Sequence, residues 1–91
     1  MDAEIVPGLV SVTMPAYNAE KYIQQAIDSL QASVYPHWEL IVVNDGSSDA
    51  TLEIAQGNAN PRISIISQEN GGESSARNTA LAHMRGEYVA F

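Results

Sequence analysis

Asp45 lies in a run, Leu40-Ile41-Val42-Val43-Asn44-Asp45-Gly46-Ser47-Ser48-Asp49, in which four consecutive apolar residues give way to an acidic, hydroxyl-rich turn. A carboxylate at such a turn can accept hydrogen bonds from a ligand's imide N–H or ribose hydroxyl, and Gly46 allows close approach of the backbone. Two other segments carry comparable groups. Pro15-Ala16-Tyr17-Asn18 combines a rigid turn, a ring able to stack on a planar base and a helix cap. Gln68 to Asn78 joins the Gly71-Gly72 turn to Arg77, whose planar fork suits phosphate or carbonyl oxygens at the amino end of a helix. Each segment also has a plainer reading. Tyr17 can pack on the helix it precedes, and Asn44-Asp45-Gly46 can simply end a strand. Ser48 and Asp49 can be only caps. Arg77 can pair with Glu73 four residues earlier, at about 0.3 to 0.5 kcal/mol if exposed.

The elements that must hold these groups follow from periodicity. Leu9 to Met14 reads as a first strand closed by Pro15, which lacks a ladder N–H. Asn18 then caps a helix with Glu20 in its first turn and Tyr22, Ile23, Ala26, Ile27 and Leu30 on one face. Trp38 to Val43 is a second strand whose lack of polar alternation implies burial on both faces, as in parallel sheets covered by helices. Ser48 or Asp49 caps a second helix with Leu52, Ala55 and Ala59, and Arg62 to Ile66 forms a third strand. Ser74 or Ser75 caps a third helix with Ala76, Ala80, Leu81 and Met84, stopped at Gly86. Glu87 to Phe91 is a fourth strand. The order β-α-β-α-β-α-β with short connections predicts a Rossmann-like, three-layer α/β/α domain with a parallel sheet and right-handed crossovers. In such sheets ligands bind at the carboxyl ends of the strands, where all three segments fall.

The 91 residues are enough for one domain, read as a tail over 1–8 and a domain over 9–91. A net charge of −7, from 11 acids against 4 bases without a basic cluster, argues against nucleic acid or an anionic membrane as the main partner. There is no cysteine, hence no disulfide framework or thiolate site. The acidic start Met1-Asp2-Ala3-Glu4 precedes no long apolar run, so the expected location is cytoplasmic, or peripheral to the inner face of a membrane. His37 and His83 stand apart from other ligand-type residues and read as surface or helix-end side chains. Trp38 reads as a core anchor, and Met14 and Met84 as core filler.

Taken together, Val12 to Asn18, Trp38 to Asp49, Asn70-Gly71-Gly72, Ala76-Arg77-Asn78 and Gly86 to Phe91 resemble the amino-terminal half of the family 2 glycosyltransferases with the GT-A fold. The resemblance spans Leu9 to Phe91. It implies a nucleotide-diphosphate sugar donor, most often UDP-linked, and transfer to an acceptor hydroxyl with inversion, in polysaccharide biosynthesis. It further implies that Pro15, Ala16 and Tyr17 line the base pocket, that Asp45 hydrogen-bonds uracil or ribose, and that Asn70 and Arg77 sit beside the nucleotide. Glu20 matches a commonly acidic family position. The Gln-Thr often found before the second strand is replaced by Ala32-Ser33-Val34. In the family the fourth strand leads into an acidic motif that binds Mg²⁺ or Mn²⁺. Phe91 is the residue just before it, so the chain is expected to be the nucleotide-binding part of a longer, truncated domain, without metal ligands, catalytic base or transferase activity of its own.

Two other classes compete. A standalone nucleotide- or partner-binding α/β module shares every feature above except transfer. A phosphoacceptor receiver domain needs an acidic pair after the first strand, where Pro15-Ala16-Tyr17 stands, and a dinucleotide fold needs G-x-G-x-x-G there. A sheet that stops at its fourth strand leaves an edge and apolar faces exposed, which predicts self-association by edge pairing or strand exchange.

Overall fold

The computed structural model describes residues 5–91. Strand β1 (Val6–Ala16) is followed by α1 (Ile23–Gln31), β2 (Trp38–Asp45), α2 (Thr51–Gln56), β3 (Ile63–Gln68), α3 (Glu73–His83) and β4 (Gly86–Ala90). All pairings are parallel and the strand order is β3-β2-β1-β4. The predicted α/β class and element order are those observed.

Every residue of β2 is buried, as the unbroken apolar run required. Alternation along the strands divides the core into two layers. Trp38, Leu40 and Val42 pack with Ile63, with Ile23 and Ile27 of α1 and with Ala55 of α2. Ile41 and Val43 point the other way, onto Ala76 and Ala80 of α3. The small residues on α3 let it lie close across β1 and β2. Truncating Ile27, which is fully buried, costs about 2 to 5 kcal/mol through lost burial and the cavity left behind.

Several boundaries differ from expectation. Strand β1 begins at Val6, ahead of the expected Leu9; a register shift between Val6 and Val10, with Gly8 at φ 77°, interrupts its pairing with β4 there. The rest of the expected tail, residues 1–4, lies outside the described residues. The strand also runs through Pro15, paired in register with Val43. The Val10 N–H donates to His37 O on the β2 side, so by alternation position 15 faces the β4 side. There the pairing ends at Val12 with Ala90, and the missing N–H of Pro15 breaks no ladder bond.

Helix starts shift as well. Asn18 does not cap α1: it adopts φ 49°, and α1 begins at Ile23 with Tyr22 exposed in front of it. Helix α2 ends at Gln56, before Ala59. Helix α3 is entered from Gly72 at φ 92°, which places Ser74 and Ser75 inside it. Gly86 is the first residue of β4 rather than a helix stop. A side chain there would meet Ser11 N and Oγ at 2.6 Å.

Candidate functional site

The ends of β1 and β2 and the entry to α3 enclose a cavity of about 490 Å³. Pro15, Ala16, Tyr17, Asp45 and Asn70, five of the six residues expected at a nucleotide, line it together. Gly72, Glu73 and Ala76 complete its wall. The cavity lies where the connections change face, since α1 and α2 cover one side of the sheet and α3 the other. Tyr17 is 56% exposed. Its ring is available to a ligand instead of being absorbed into helix packing, the plainer reading of that residue.

Asp45 is 3% exposed, and its carboxylate is nearly saturated. Oδ1 accepts from Gln68 Nε2 and from the Gly71 N–H, each at 2.9 Å. Oδ2 accepts from the Gly72 N–H at 3.0 Å and, more weakly, from Asn70 Nδ2 at 3.4 Å. The Gln68 amide and then the Gly71 N–H hold the Asp45 carboxyl below the usual aspartate value, against the effect of burial, with Gly72 adding to them. The amino end of α3 therefore already has an anion, and it is Asp45. A carboxylate offers about four acceptor positions, so the long Asn70 contact on Oδ2 is the one a ligand N–H could displace. Gly46, at φ 71°, lets the β2 turn touch the third loop: a Cβ there would lie 2.5 Å from Asn70 N.

A second set of bonds ties the first loop to the second. Asn18 Oδ1 accepts from Ser48 N at 2.9 Å, while Asn18 N donates to Ser47 Oγ at 3.0 Å. Glu20 Oε2 accepts from Ala50 N at 3.0 Å, and Glu20 N donates to Asp49 Oδ2 at 3.3 Å. The hydroxyl of Thr51 accepts from Ala19 N and donates to Asp49 Oδ1. That hydroxyl is the chief cause holding the Asp49 carboxyl below its ordinary value. Glu20 thus bridges two loops rather than serving as a helix-end acid. The walls bearing Tyr17, Asp45 and Asn70 are fixed pairwise.

Arg77 stands just outside the lining. Its guanidinium pairs with Glu73 at 3.0 Å, the pairing foreseen as the plain alternative, and lies 4.8 Å from the centre of the Phe91 ring. Its buried Nε has no partner among the described residues. The described residues contain no group of three or more His, Cys, Asp or Glu able to hold a metal ion.

Sequence reasoning overlooked Gln68 as a partner of Asp45, and it overlooked Glu39. Glu39 lies 6% exposed near the start of β2, bonded to Ser11 and Arg85. The signal was an acid inside a strand otherwise read as buried on both faces, because such a charge must have partners.

A parallel α/β sheet with a cavity at its strand ends, walled by an aromatic ring, an acid and a glycine-rich helix entry, defines an α/β domain of the kind that holds ligands at the carboxyl ends of its strands. The sequence matches Glycosyl transferase family 2 over residues 11–91, and the chain belongs to that family. It is 44% identical over 89 residues to glycosyltransferase GlyA of Streptococcus pneumoniae, covering 96% of this chain and 13% of that protein. It is 44% identical over 84 residues to chondroitin synthase of Pasteurella multocida, covering 89% and 9%. The crystal structure of S. aureus TarS in complex with UDP superposes with a TM-score of 0.84 at 38% identity, over 91% of this chain and 26% of that one. The mannosyltransferase PcManGT of Pyrobaculum calidifontis, in complex with GDP-Man and Mn²⁺, gives 0.81 at 28% identity, over 98% and 29%. The fold is that of the GT-A glycosyltransferases, and the chain spans a minor part of each of these relatives.

Proposed function

We propose that this chain is the nucleotide-binding part of a glycosyltransferase that moves a sugar from a nucleotide-diphosphate donor, UDP-linked, to an acceptor hydroxyl with inversion. The observation that carries the reading is the convergence of Pro15, Ala16, Tyr17, Asp45 and Asn70 on one cavity at the strand ends. The likeness to a UDP-bound enzyme at 38% identity supports the choice of nucleotide. In this reading the base stacks on Tyr17, Asp45 Oδ2 accepts an imide N–H in place of the long Asn70 contact, and Arg77 leaves Glu73 to meet the diphosphate. Mg²⁺ or Mn²⁺ would neutralise charge on the leaving diphosphate in the complete enzyme. Titration calorimetry with UDP tests the reading. Binding that is lost in Asp45→Ala supports it, and absence of binding by the wild-type chain overturns it.

The proposal extends to three further points. The 91 residues bind nucleotide without transferring sugar on their own, a reading supported by their matching only 26% of the UDP-bound enzyme they resemble. Transfer by the isolated chain in the presence of Mn²⁺ would refute this. The acceptor is a glycan, a choice supported by the likeness to a polysaccharide synthase, and the location is cytoplasmic or peripheral to the inner face of a membrane. No helix among the described residues is long and apolar enough to cross a membrane. Self-association through β4 is supported by the exposure of Tyr88 and Val89 on that edge strand and of Phe91 just after it. A molecular mass that stays at 9.8 kDa at high concentration in light scattering would rule it out.

A further inference from the structure

We propose that Glu39, through Ser11 and Arg85, is a positioning residue that sets the register of β4 and so brings Phe91 to Arg77 at the rim of the cavity. Strand β4 is five residues long and pairs only with β1. Its Glu87, Tyr88 and Val89 are exposed, so burial gives little preference for one register over another. A separate pin is required, and it lies at the strand's first residues. Glu39 Oε2 accepts from the Arg85 N–H at 2.6 Å, and Oε1 from Arg85 Nε at 3.2 Å. The Ser11 hydroxyl donates to Glu39 Oε2 and accepts the Gly86 N–H at 2.8 Å. The contact is sterically selective too, because only glycine fits against Ser11 at position 86. These bonds link the central strand β2 to β1 and then to β4.

Beyond the ladder to Val12, which does not by itself select a register, the far end of β4 has a weaker side-chain hold, a 3.5 Å contact from Thr13 Oγ1 to Ala90 O. A slip of one residue would move Phe91 by about 3.3 Å and turn its ring to the opposite face; a slip of two would move it by about 6.6 Å. Either displacement takes the ring off the Arg77 guanidinium. Because the cavity residues lie on other elements, this role can fail while nucleotide binding holds, and the reverse.

NMR spectroscopy of the 91-residue chain without nucleotide provides the test. In Glu39→Gln the new amide places an N–H group against Arg85 donors. The expected result is loss of the Val10–Tyr88 and Val12–Ala90 cross-strand contacts and of the ring-current shift on the Arg77 side chain, with β1–β2–β3 contacts unchanged. Persistence of both β4 signatures would overturn the proposal. Should Glu39→Gln fail to fold, Ser11→Ala decides. Amide exchange at Gly86 should accelerate about tenfold relative to β2, the effect of one lost hydrogen bond. Uniform acceleration across the sheet, or none, would overturn it.

Discussion

Strand β2 carries a nearly buried carboxylate at each end, Glu39 and Asp45, and both lie on the face covered by α3 together with Ile41 and Val43. Helix α3 spans the distance between them. It starts from Gly72, whose N–H meets Asp45, and the turn after it presents the Arg85 N–H to Glu39. The two acids therefore hold the two ends of one helix, with different partners. Asp45 sits at the amino end, where the helix dipole favours an anion, and uses backbone and amide donors without a cation. Glu39 sits at the carboxyl end, where the dipole opposes it, and has Arg85 in compensation. The cavity opens beside the acid with no counter-ion. A carboxylate stabilised only by neutral donors keeps its net charge and its attraction for a further N–H, whereas one paired with guanidinium has a counter-charge already.

Removing each acid in turn tests that division most severely. Asp45→Ala should lower UDP affinity on the order of 100-fold by calorimetry, since a ligand acceptor and the hold on Gly71 and Gly72 disappear together. Glu39→Ala should leave affinity within about threefold, while chemical denaturation registers a loss of about 2 to 3 kcal/mol from bonds to a charged group. Equal effects of the two substitutions on affinity would collapse the distinction. Gly46→Ala should come next, at about 1 to 3 kcal/mol, through strain at φ 71° and collision with Asn70 N. It acts at the Asp45 end alone, so hydrogen exchange should rise in the third loop and not at Gly86.

Acid titration compares the two ends in one experiment. Burial raises the Glu39 pKa, but the Ser11 hydroxyl and the Arg85 N–H and guanidinium outweigh it, so the carboxyl lies below its ordinary value, as does that of Asp45. Both groups therefore contribute stability that is fully present above the unfolded carboxylate pKa, about 4, and lost as pH falls through the lower folded values. Denaturation free energy measured from pH 7 to 2 should fall below pH 4. The fall should be shallower in Glu39→Gln. A pH profile unaltered by that substitution would remove Glu39 from the account.

The sequence disclosed the elements more readily than their ends. Leu40 to Val43 could only be an interior strand, and five of the six residues expected at a nucleotide converged because each stands at, or just past, the carboxyl end of a strand. Pro15 misled because whether a missing N–H matters depends on which neighbour that position faces, a property of strand order. Asn18 resembled a helix cap, and Glu20 a first-turn acid, because a side chain that binds a backbone N–H has the same chemistry locally and across loops. Their partners Ser48 and Ala50 lie thirty residues away, beyond any local rule, whereas Asp49 does accept the Thr51 N–H two residues on, at the start of α2. The saturation of Asp45 by Gln68, Gly71 and Gly72 was hidden for the same reason.

The smallest expected effect bears most directly on Arg77. The Glu73–Arg77 pair is half-exposed, with the two side chains 75% and 41% accessible, and contributes only about 0.3 to 0.5 kcal/mol. Glu73→Gln should therefore change the denaturation midpoint very little. Glu73 also lines the cavity, where its charge repels a diphosphate and occupies the guanidinium that would meet one. Neutralising it should raise UDP affinity about twofold to threefold at low salt, with the gain shrinking as ionic strength rises. Uridine, which has no phosphate, should bind the variant and the wild type alike. An equal gain for uridine would mean that Glu73 acts on the base side of the cavity, and Arg77 would then have no part in reading the phosphates.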